Sequence, residues 1–160
     1  LYFYYYRNVD MTSRSESLKV PALRQRVLVL CTGNSARSQM AEGLVRHDAG
    51  DRVEVASAGT HPTRVRPEAV QVMHEVGIDI STHRSKSINE YVGQTFDVVL
   101  TVCDEANAAC PVFPGSATRR LHHAFPDPAA VQGSEATRLA TFRAVRDLLR
   151  DYLRSLFPPA

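Results

Sequence analysis

Short apolar runs alternate along the chain with stretches of helical periodicity. Residues Arg26 to Leu30 form a short, β-branched run that is almost continuously apolar, and Phe96 to Val102 repeat the pattern. Such runs are typical of parallel strands that are buried on both faces. Arg52 to Gly59 alternate between apolar and polar residues and predict another strand, and Arg119 to Phe125 predict a weaker fourth strand.

The stretches between these strands predict helices. Pro67 to Gly77 combine a proline in the first turn, apolar residues at helical spacing and a glycine at the end. Gln39 to Arg46 predict a helix after the first strand, Ile88 to Val92 a short helix, and Ser134 to Leu156 a long closing helix with one apolar stripe. This alternation predicts an α/β fold, a single-domain three-layer sandwich with a central four-stranded parallel sheet and helices on both faces.

The N-terminal residues differ in composition from the rest of the chain. Residues 1–10 are strongly aromatic, whereas the residues that follow Met11 are polar, and we expect Met11 to be the natural start. We therefore expect residues 1–25 to be an N-terminal leader outside the fold and residues 26–158 to form the α/β domain. A chain of 160 residues suits one such domain.

Composition and charge narrow the range of functions. The chain is 44% hydrophobic and 22% charged, and its net charge of +2 is spread along the sequence, which argues against binding to nucleic acid or membranes. No apolar run reaches the roughly 18 residues of a membrane helix, and no signal peptide is evident. Three cysteines fit a reducing compartment, so we expect a cytoplasmic protein. The six histidines lack the spacing of zinc ligands, and we expect neither a metal nor a cofactor.

The candidate chemistry lies between the first strand and the first helix, in the stretch Cys31–Ser38. Gly33 and Asn34 tolerate the backbone angles of a tight loop. A loop at a helix N-terminus presents free N–H groups and the positive end of the helix dipole, and the Arg37 guanidinium can grip two oxygens of a tetrahedral oxyanion. The predicted oxyanion-binding residues are Thr32, Gly33, Asn34, Ser35, Ala36 and Arg37.

Cys31 is the candidate nucleophile of this loop. Because the thiolate is the nucleophilic form of cysteine, a ring of N–H dipoles and an arginine around Cys31 favours its action as a nucleophile. A cysteine that ends a buried strand is, alternatively, often only a small core residue. Cys31, Cys103 and the residues after Phe125 each follow a predicted strand, so we expect them at the carboxyl rim of the sheet, where ligands of such folds bind.

Residues Cys31 to Glu42 resemble the phosphate loop of the low-molecular-weight protein tyrosine phosphatases, and more closely that of the arsenate reductase branch. In that branch two further cysteines follow the third strand, and Cys103 and Cys110 occupy their positions. Ala129–Ala130 stand where phosphatases commonly carry aromatic residues, which favours a small inorganic anion as substrate. The similarity runs from Val27 through the closing helix, and its supporting stretches are Ser57–Thr60, Gly77–Ser81, Thr101–Asp104, Cys110–Pro111 and Phe125–Ala129.

The resemblance implies reduction of arsenate to arsenite by a relay of three thiols. Cys31 displaces an oxygen of arsenate, while Ser38 orients the thiolate and Arg37 stabilises the charge. Cys103 then attacks Cys31 and releases arsenite. Cys110 attacks Cys103, and a thioredoxin-like protein reduces the resulting disulfide.

The spacing of the second and third cysteines adds a constraint. In a continuous helix, seven residue steps would separate the Cα atoms of Cys103 and Cys110 by about 10.5 Å, whereas a disulfide requires about 4.4–6.8 Å. We therefore expect residues 104–109 to loop out on oxidation and to expose the disulfide to its reductant.

Asp127 is implied to be the general acid that protonates the leaving oxygen, although Asp-Pro is also common as a simple turn. Cys31, Arg37 and Asp127 together form a complete phosphatase set, so a protein tyrosine or small-phosphoester phosphatase is the alternative function. A non-catalytic oxyanion-binding module is a third possibility, but it would need neither Cys31 nor the distant thiols.

Some members of the resembling family bind potassium near this loop, through residues that match Asn34, Glu42 and Ser57 and through an aspartate. Lys86 stands at the position of the aspartate here. Because its ammonium group can substitute for the cation, we expect no potassium requirement.

Overall fold

A four-stranded parallel sheet forms the centre of the molecule in the computed structural model, which describes residues 23–104 and 111–160. The strands are β1 (Gln25–Cys31), β2 (Val53–Gly59), β3 (Thr95–Thr101) and β4 (Ser116–His122). Their order in the sheet is β2-β1-β3-β4, and all neighbouring pairs are parallel. The first strand is therefore central, and its carboxyl end lies beside those of β2 and β3.

In the described part of the chain, three α-helices cover one face of the sheet and a 3-10 helix covers the other. The long C-terminal helix packs against the two other α-helices. The α-helices are α1 (Arg37–Ala49), α2 (Pro67–His74) and α3 (Glu135–Leu156), and the 3-10 helices are Gly50–Arg52, Ile88–Tyr91 and Pro128–Ala130.

The central strand buries both of its faces, as its apolar run predicts. Val27 and Val29 belong to the core between the sheet and the α-helices. Leu28 and Leu30 belong to a second core on the opposite face, together with Phe96. This alternation gives each face of the strand its own apolar layer. The predicted single-domain, three-layer α/β sandwich with helices on both faces is confirmed.

The predicted fourth strand, Arg119 to Phe125, is displaced from the observed one, which covers Ser116–His122. This strand lies at the edge of the sheet and most of its side chains are exposed, so no buried apolar run marks its position. The Arg120 guanidinium instead donates to backbone carbonyls of the preceding turn, at 2.8 Å and 2.7 Å. As a result, Phe125 and Asp127 follow β4 after a short connection rather than directly.

The second helix ends earlier than its periodicity predicts. It stops at His74, and Gly77 adopts a φ of 79° in the turn that follows. The Ile78 amide closes this turn by donating to the Met73 carbonyl at 3.0 Å. Glycine suits the left-handed angle of this turn. Gly77 therefore marks the end of the turn after α2, and the helix itself ends three residues earlier, at His74.

Two other expectations fall largely or wholly outside the described residues. They are the leader, of which residues 1–22 are not covered, and the rearrangement of residues 104–109. Within residues 23–104 and 111–160, no helix is long and apolar enough to cross a membrane.

Gly43 lies in α1 where a Cβ atom would be 2.8 Å from Ile80 Cγ2 and 2.9 Å from Met73 Cε. Alanine normally stabilises a helix by about 1 kcal/mol relative to glycine, but both neighbours here are fully buried. We expect Gly43→Ala to lower the free energy of unfolding by about 1–3 kcal/mol through overpacking, as measured by urea denaturation.

Gly93→Ala is the matched control because a Cβ at Gly93 meets nothing within 4 Å. Its effect should stay within about 0.5 kcal/mol. Equal effects of the two substitutions would contradict the proposed contact between α1 and its neighbours.

Candidate active site

The chain between β1 and α1 makes a tight loop that begins at Cys31. Asn34 has a φ of 46°, in the left-handed region that asparagine tolerates better than most residues. Gly33 does not use the same freedom, because its φ is not positive. A Cβ at Gly33 would lie 3.3 Å from Ser35 Oγ, and the loop therefore uses the small size of this glycine.

Gly59, the last residue of β2, allows the loop to pass close to the neighbouring strand. A Cβ at this position would lie 2.4 Å from the Thr32 carbonyl oxygen and 2.9 Å from the Asn34 amide nitrogen. Real Cβ atoms do not approach backbone atoms this closely, so only glycine fits. The small residues at the end of β2 thus have a direct role in shaping the loop.

The backbone amides of the loop form a cradle of hydrogen-bond donors. Helix α1 begins at Arg37 without a side-chain cap and without an acidic residue in its first turn. The N–H groups of residues 33–38 donate no hydrogen bond to any residue in the described ranges. Free amides at the positive end of a helix dipole attract an anion.

Cys31 lies in this cradle, 3% exposed, with its sulfur 2.8 Å from Ser38 Oγ. The Asn34 side-chain amide donates to the same hydroxyl oxygen at 2.8 Å. Because that oxygen accepts from Asn34, the Ser38 hydroxyl is directed to donate to the sulfur. Ser38 is thus a first-turn residue of α1 that contacts the thiol.

Arg37 and Asp127 meet at the edge of the cradle. The buried Arg37 guanidinium donates to the Phe125 carbonyl at 3.0 Å, and its Nη2 lies 3.8 Å from Asp127 Oδ2. The Asp127 side chain is 36% exposed, and its other oxygen accepts from the Ala129 amide at 3.0 Å. Asp127 therefore caps the turn of an Asp-Pro sequence and also faces the candidate nucleophile's loop.

Cys103 lies two residues beyond the end of β3 and is fully buried. The Val102 amide donates to the Leu30 carbonyl at 3.0 Å, so Cys103 stands beside the strand end that carries Cys31. Cys103 is disulfide-bonded, whereas Cys31 is a free thiol. Cys110 lies outside the described residues. The structure thus brings Cys31, Arg37, Ser38, Cys103 and Asp127 to one rim of the sheet.

Asn34 is held by three further side chains, of which the sequence had indicated only Ser57, through the family resemblance. The Gln39 amide nitrogen lies 3.1 Å from the Asn34 carbonyl and 2.8 Å from its Oδ1. Ser85 Oγ donates to the same carbonyl at 2.6 Å, and Asn34 Nδ2 donates to Ser57 Oγ at 2.9 Å. For Gln39, the sequence signal is a polar residue at the start of a buried helix.

His83 supports Gln39 from the far side. Because the Gln39 amide nitrogen donates to carbonyl oxygens, its Oε1 is the acceptor for His83 Nδ1 at 3.0 Å. His83 Nε2 then accepts from the Arg46 guanidinium at 3.0 Å. Burial is the main cause that lowers the pKa of His83, and the positive charges of Arg46 and Lys86 add to it. The ring is therefore neutral at pH 7.

Lys86 pairs with the buried Glu42 beneath the loop. Its Nζ lies 3.2 Å from Glu42 Oε2, which also accepts from the Ser57 hydroxyl. Burial acts to raise the pKa of Glu42, but the Ser57 hydrogen bond and the charges of Lys86 and Arg46 outweigh it, so the pKa is lowered. Asn34 presents its amide nitrogen to Ser57. This set is already satisfied by hydrogen bonds and one ammonium group, and it does not fit a potassium ion.

The rest of the described chain offers no competing metal chemistry. In residues 23–104 and 111–160, no group of three histidine, cysteine, aspartate or glutamate side chains is placed to hold a metal ion. The cradle combines a thiol, an arginine, a serine and free amides, and this set suits binding of a tetrahedral oxyanion and attack on it by sulfur.

The chain is similar in sequence to a known protein family and to curated proteins. The family model for low molecular weight phosphotyrosine protein phosphatase matches residues 26–159. An arsenate reductase of Halalkalibacterium halodurans is 46% identical over 76% of this chain and 86% of its own length.

Solved structures agree with this match. A structure of an arsenate reductase in the oxidized state is 30% identical, with a TM-score of 0.70 over 83% of this chain and 96% of the other. A thioredoxin-dependent arsenate reductase of Corynebacterium glutamicum is 26% identical, with a TM-score of 0.58 over 84% of this chain and 60% of the other.

The left-handed backbone and the hydrogen bonds of Asn34 can be separated by two substitutions. Asn34→Gly keeps the backbone freedom but loses the side-chain hydrogen bonds, whereas Asn34→Ala loses both. We expect Asn34→Ala to be less stable than Asn34→Gly by about 1–2 kcal/mol, the cost of a left-handed alanine, in urea denaturation. Equal stabilities would contradict a strained loop.

Proposed function

Because the chain belongs to the low-molecular-weight phosphotyrosine protein phosphatase family and its Cys31 thiol lies in an oxyanion cradle, we propose that the protein is an arsenate reductase. The observation that carries this proposal is the free Cys31 thiol, 2.8 Å from Ser38 Oγ, with Cys103 at the end of the adjacent strand. The 46% identity to a protein named arsenate reductase supports the same conclusion.

The first proposed step forms a bond between sulfur and arsenic. The Cys31 thiolate, oriented by the Ser38 hydroxyl, attacks the arsenic of arsenate. The free loop amides and Arg37 stabilise the charge on the oxyanion. Asp127 donates a proton to the departing oxygen, which leaves as water. The separation of 3.8 Å between Arg37 Nη2 and Asp127 Oδ2 supports this division of roles.

The second proposed step is the reduction. The Cys103 thiolate attacks the Cys31 sulfur, so that a disulfide forms while the sulfur–arsenic bond breaks. The electron pair of the broken bond remains on arsenic, which leaves as arsenite. Cys110 then attacks Cys103 and frees the Cys31 thiolate, and two thiols have been oxidised for each arsenate reduced. A free Cys31 beside a disulfide-bonded Cys103 is the sulfur arrangement with which this relay ends.

A thioredoxin-like protein is proposed to return the oxidised pair to thiols by thiol–disulfide exchange. The similarity to a reductase described as thioredoxin-dependent supports this partner. Residues 104–109 are proposed to loop out in the oxidised protein and to present the disulfide to the reductant.

A phosphatase acting on small phosphoesters or on phosphotyrosine is the second candidate. The pairing of Arg37 with Asp127 beside Cys31 favours it, since hydrolysis of a phosphoester needs the same nucleophile, anion clamp and acid. It does not explain Cys103, because hydrolysis uses no second thiol. Weak phosphatase activity as a side reaction is compatible with the reductase proposal.

Substitution of Cys103 separates the two candidates. We expect the wild-type protein to consume NADPH in the presence of arsenate, thioredoxin and thioredoxin reductase. Cys103→Ser should lose more than about 100-fold of this turnover, because the sulfur–arsenic adduct cannot be resolved. Its hydrolysis of p-nitrophenyl phosphate should stay within a factor of about two of wild type.

Cys31→Ser is the control and should abolish both activities. Arsenate turnover retained by Cys103→Ser would contradict the relay. A wild-type protein that hydrolyses the phosphoester but does not reduce arsenate would establish the phosphatase alternative.

Lys86 provides a test of the proposed potassium independence. Arsenate turnover at constant ionic strength should be the same in sodium and potassium salts, because the Lys86 ammonium already contacts Glu42. Lys86→Met leaves the buried Glu42 carboxylate without this partner, and we expect it to lose about 1–3 kcal/mol of stability. A wild-type activity that rises steeply with potassium would contradict this account.

A further inference from the structure

Residues 60–66, here called the rim segment, run along the outside of the anion-binding loop. Three backbone amides of this rim segment donate to carbonyls of the loop. His61 donates to Thr32 at 2.9 Å and Arg66 to Ser35 at 2.9 Å, and between them the amide of residue 63 donates to the carbonyl of residue 33 at 3.1 Å. The rim segment is therefore held at a fixed position beside the mouth of the cradle.

The rim segment carries two arginines, Arg64 and Arg66. Arg64 is exposed and Arg66 half-buried, and within the described residues neither side chain makes an ion pair or a hydrogen bond. Several other surface arginines of this chain have carboxylate partners, such as Arg84 with Glu90 at 2.6 Å.

Two acidic groups near the rim segment, Glu68 and Asp127, face other arginines. Glu68, two residues beyond Arg66, faces Arg138 at 3.3 Å. Asp127, at the edge of the cradle, faces Arg37 at 3.8 Å. The two positive charges of the rim segment are thus not neutralised by these carboxylates.

These charges lie within electrostatic range of the site. The Arg66 amide is hydrogen-bonded to the loop itself, and an arginine side chain is shorter than the Debye length of about 10 Å at 0.1 M ionic strength. At low ionic strength, where the Debye length reaches about 30 Å at 0.01 M, charges on a segment bonded to the loop act on an anion that approaches the cradle. Charges near a cleft raise the local concentration of an oppositely charged substrate.

We propose that Arg64 and Arg66 attract the multiply charged inorganic oxyanion into the cradle and raise its rate of capture. This inference rests on the proposed arsenate reductase function and deepens it. The two arginines are not catalytic residues, since they act on the free anion before it reaches the sulfur. Their effect belongs in kcat/KM, not in kcat, and it weakens as salt screens the charges.

The double variant R64Q/R66Q tests this assignment in arsenate turnover. At an ionic strength of about 20 mM we expect kcat/KM for arsenate to fall about three- to tenfold while kcat stays unchanged. The difference should shrink below twofold at about 0.5 M salt. The variant R64K/R66K keeps both charges and should behave like wild type.

The control is R24Q/R119Q, which removes two positive charges from one depression near the amino end of the sheet, far from the cradle. Its kcat/KM should match wild type within about twofold. An equal loss in R24Q/R119Q and R64Q/R66Q would overturn the proposal, because net charge alone would then explain both. A loss that does not depend on salt would overturn it as well.

A second readout does not depend on arsenate reduction. The Cys31 thiol is alkylated by anionic iodoacetate or by neutral iodoacetamide, and mass spectrometry assigns the modified residue. R64Q/R66Q should slow the reaction with iodoacetate about three- to tenfold at low salt and leave the iodoacetamide rate unchanged. Equal slowing by both reagents would overturn the role of charge. One outcome is that the wild type fails to reduce arsenate while R64Q/R66Q still lowers the ratio of the iodoacetate rate to the iodoacetamide rate. In that case the proposed reductase function fails and the charge assignment stands.

Discussion

The left-handed Asn34 is the constraint on which the candidate site depends. This residue is fully buried, and a buried polar group without partners costs free energy, so each of its side-chain and carbonyl atoms must be hydrogen-bonded. Its carbonyl, Oδ1 and Nδ2 all have partners, and these come from α1, β2 and the segment 85–86. With Asn34 fixed in this way, the loop amides turn inward and the Ser38 hydroxyl points to the Cys31 sulfur.

Sheet topology brings two cysteines from distant parts of the chain to the same edge of the sheet. The order β2-β1-β3-β4 makes β1 and β3 neighbours, although 63 residues lie between the end of β1 at Cys31 and the start of β3 at Thr95. Parallel strands end at the same edge, so Cys31 and Cys103 share one rim without any special local geometry. The chemistry proposed for this chain thus uses a general property of parallel α/β sheets.

The charged side chains below the loop are paired, whereas two arginines at the mouth of the cradle have no carboxylate partner among the described residues. Below the loop, the buried Glu42 carboxylate is paired with both Lys86 and Arg46. At the mouth, Arg64 and Arg66 have no carboxylate partner among the described residues. A positive entrance suits the multiply charged oxyanion that we propose as the substrate.

The sequence by itself determined the features that depend on neighbours along the chain. Apolar periodicity located β1, β3 and the helices, and the local chemistry of Cys31–Ser38 indicated a candidate anion-binding loop, because these signals arise within a few covalent bonds. The tertiary structure alone decided that Gln39, Ser57 and Ser85 hold Asn34, that Gly59 makes room for the loop, and that the fourth strand begins at Ser116. These contacts join residues up to 51 positions apart and leave no periodic pattern, since a buried hydrogen bond depends on where strands and loops pack and not on local residue order.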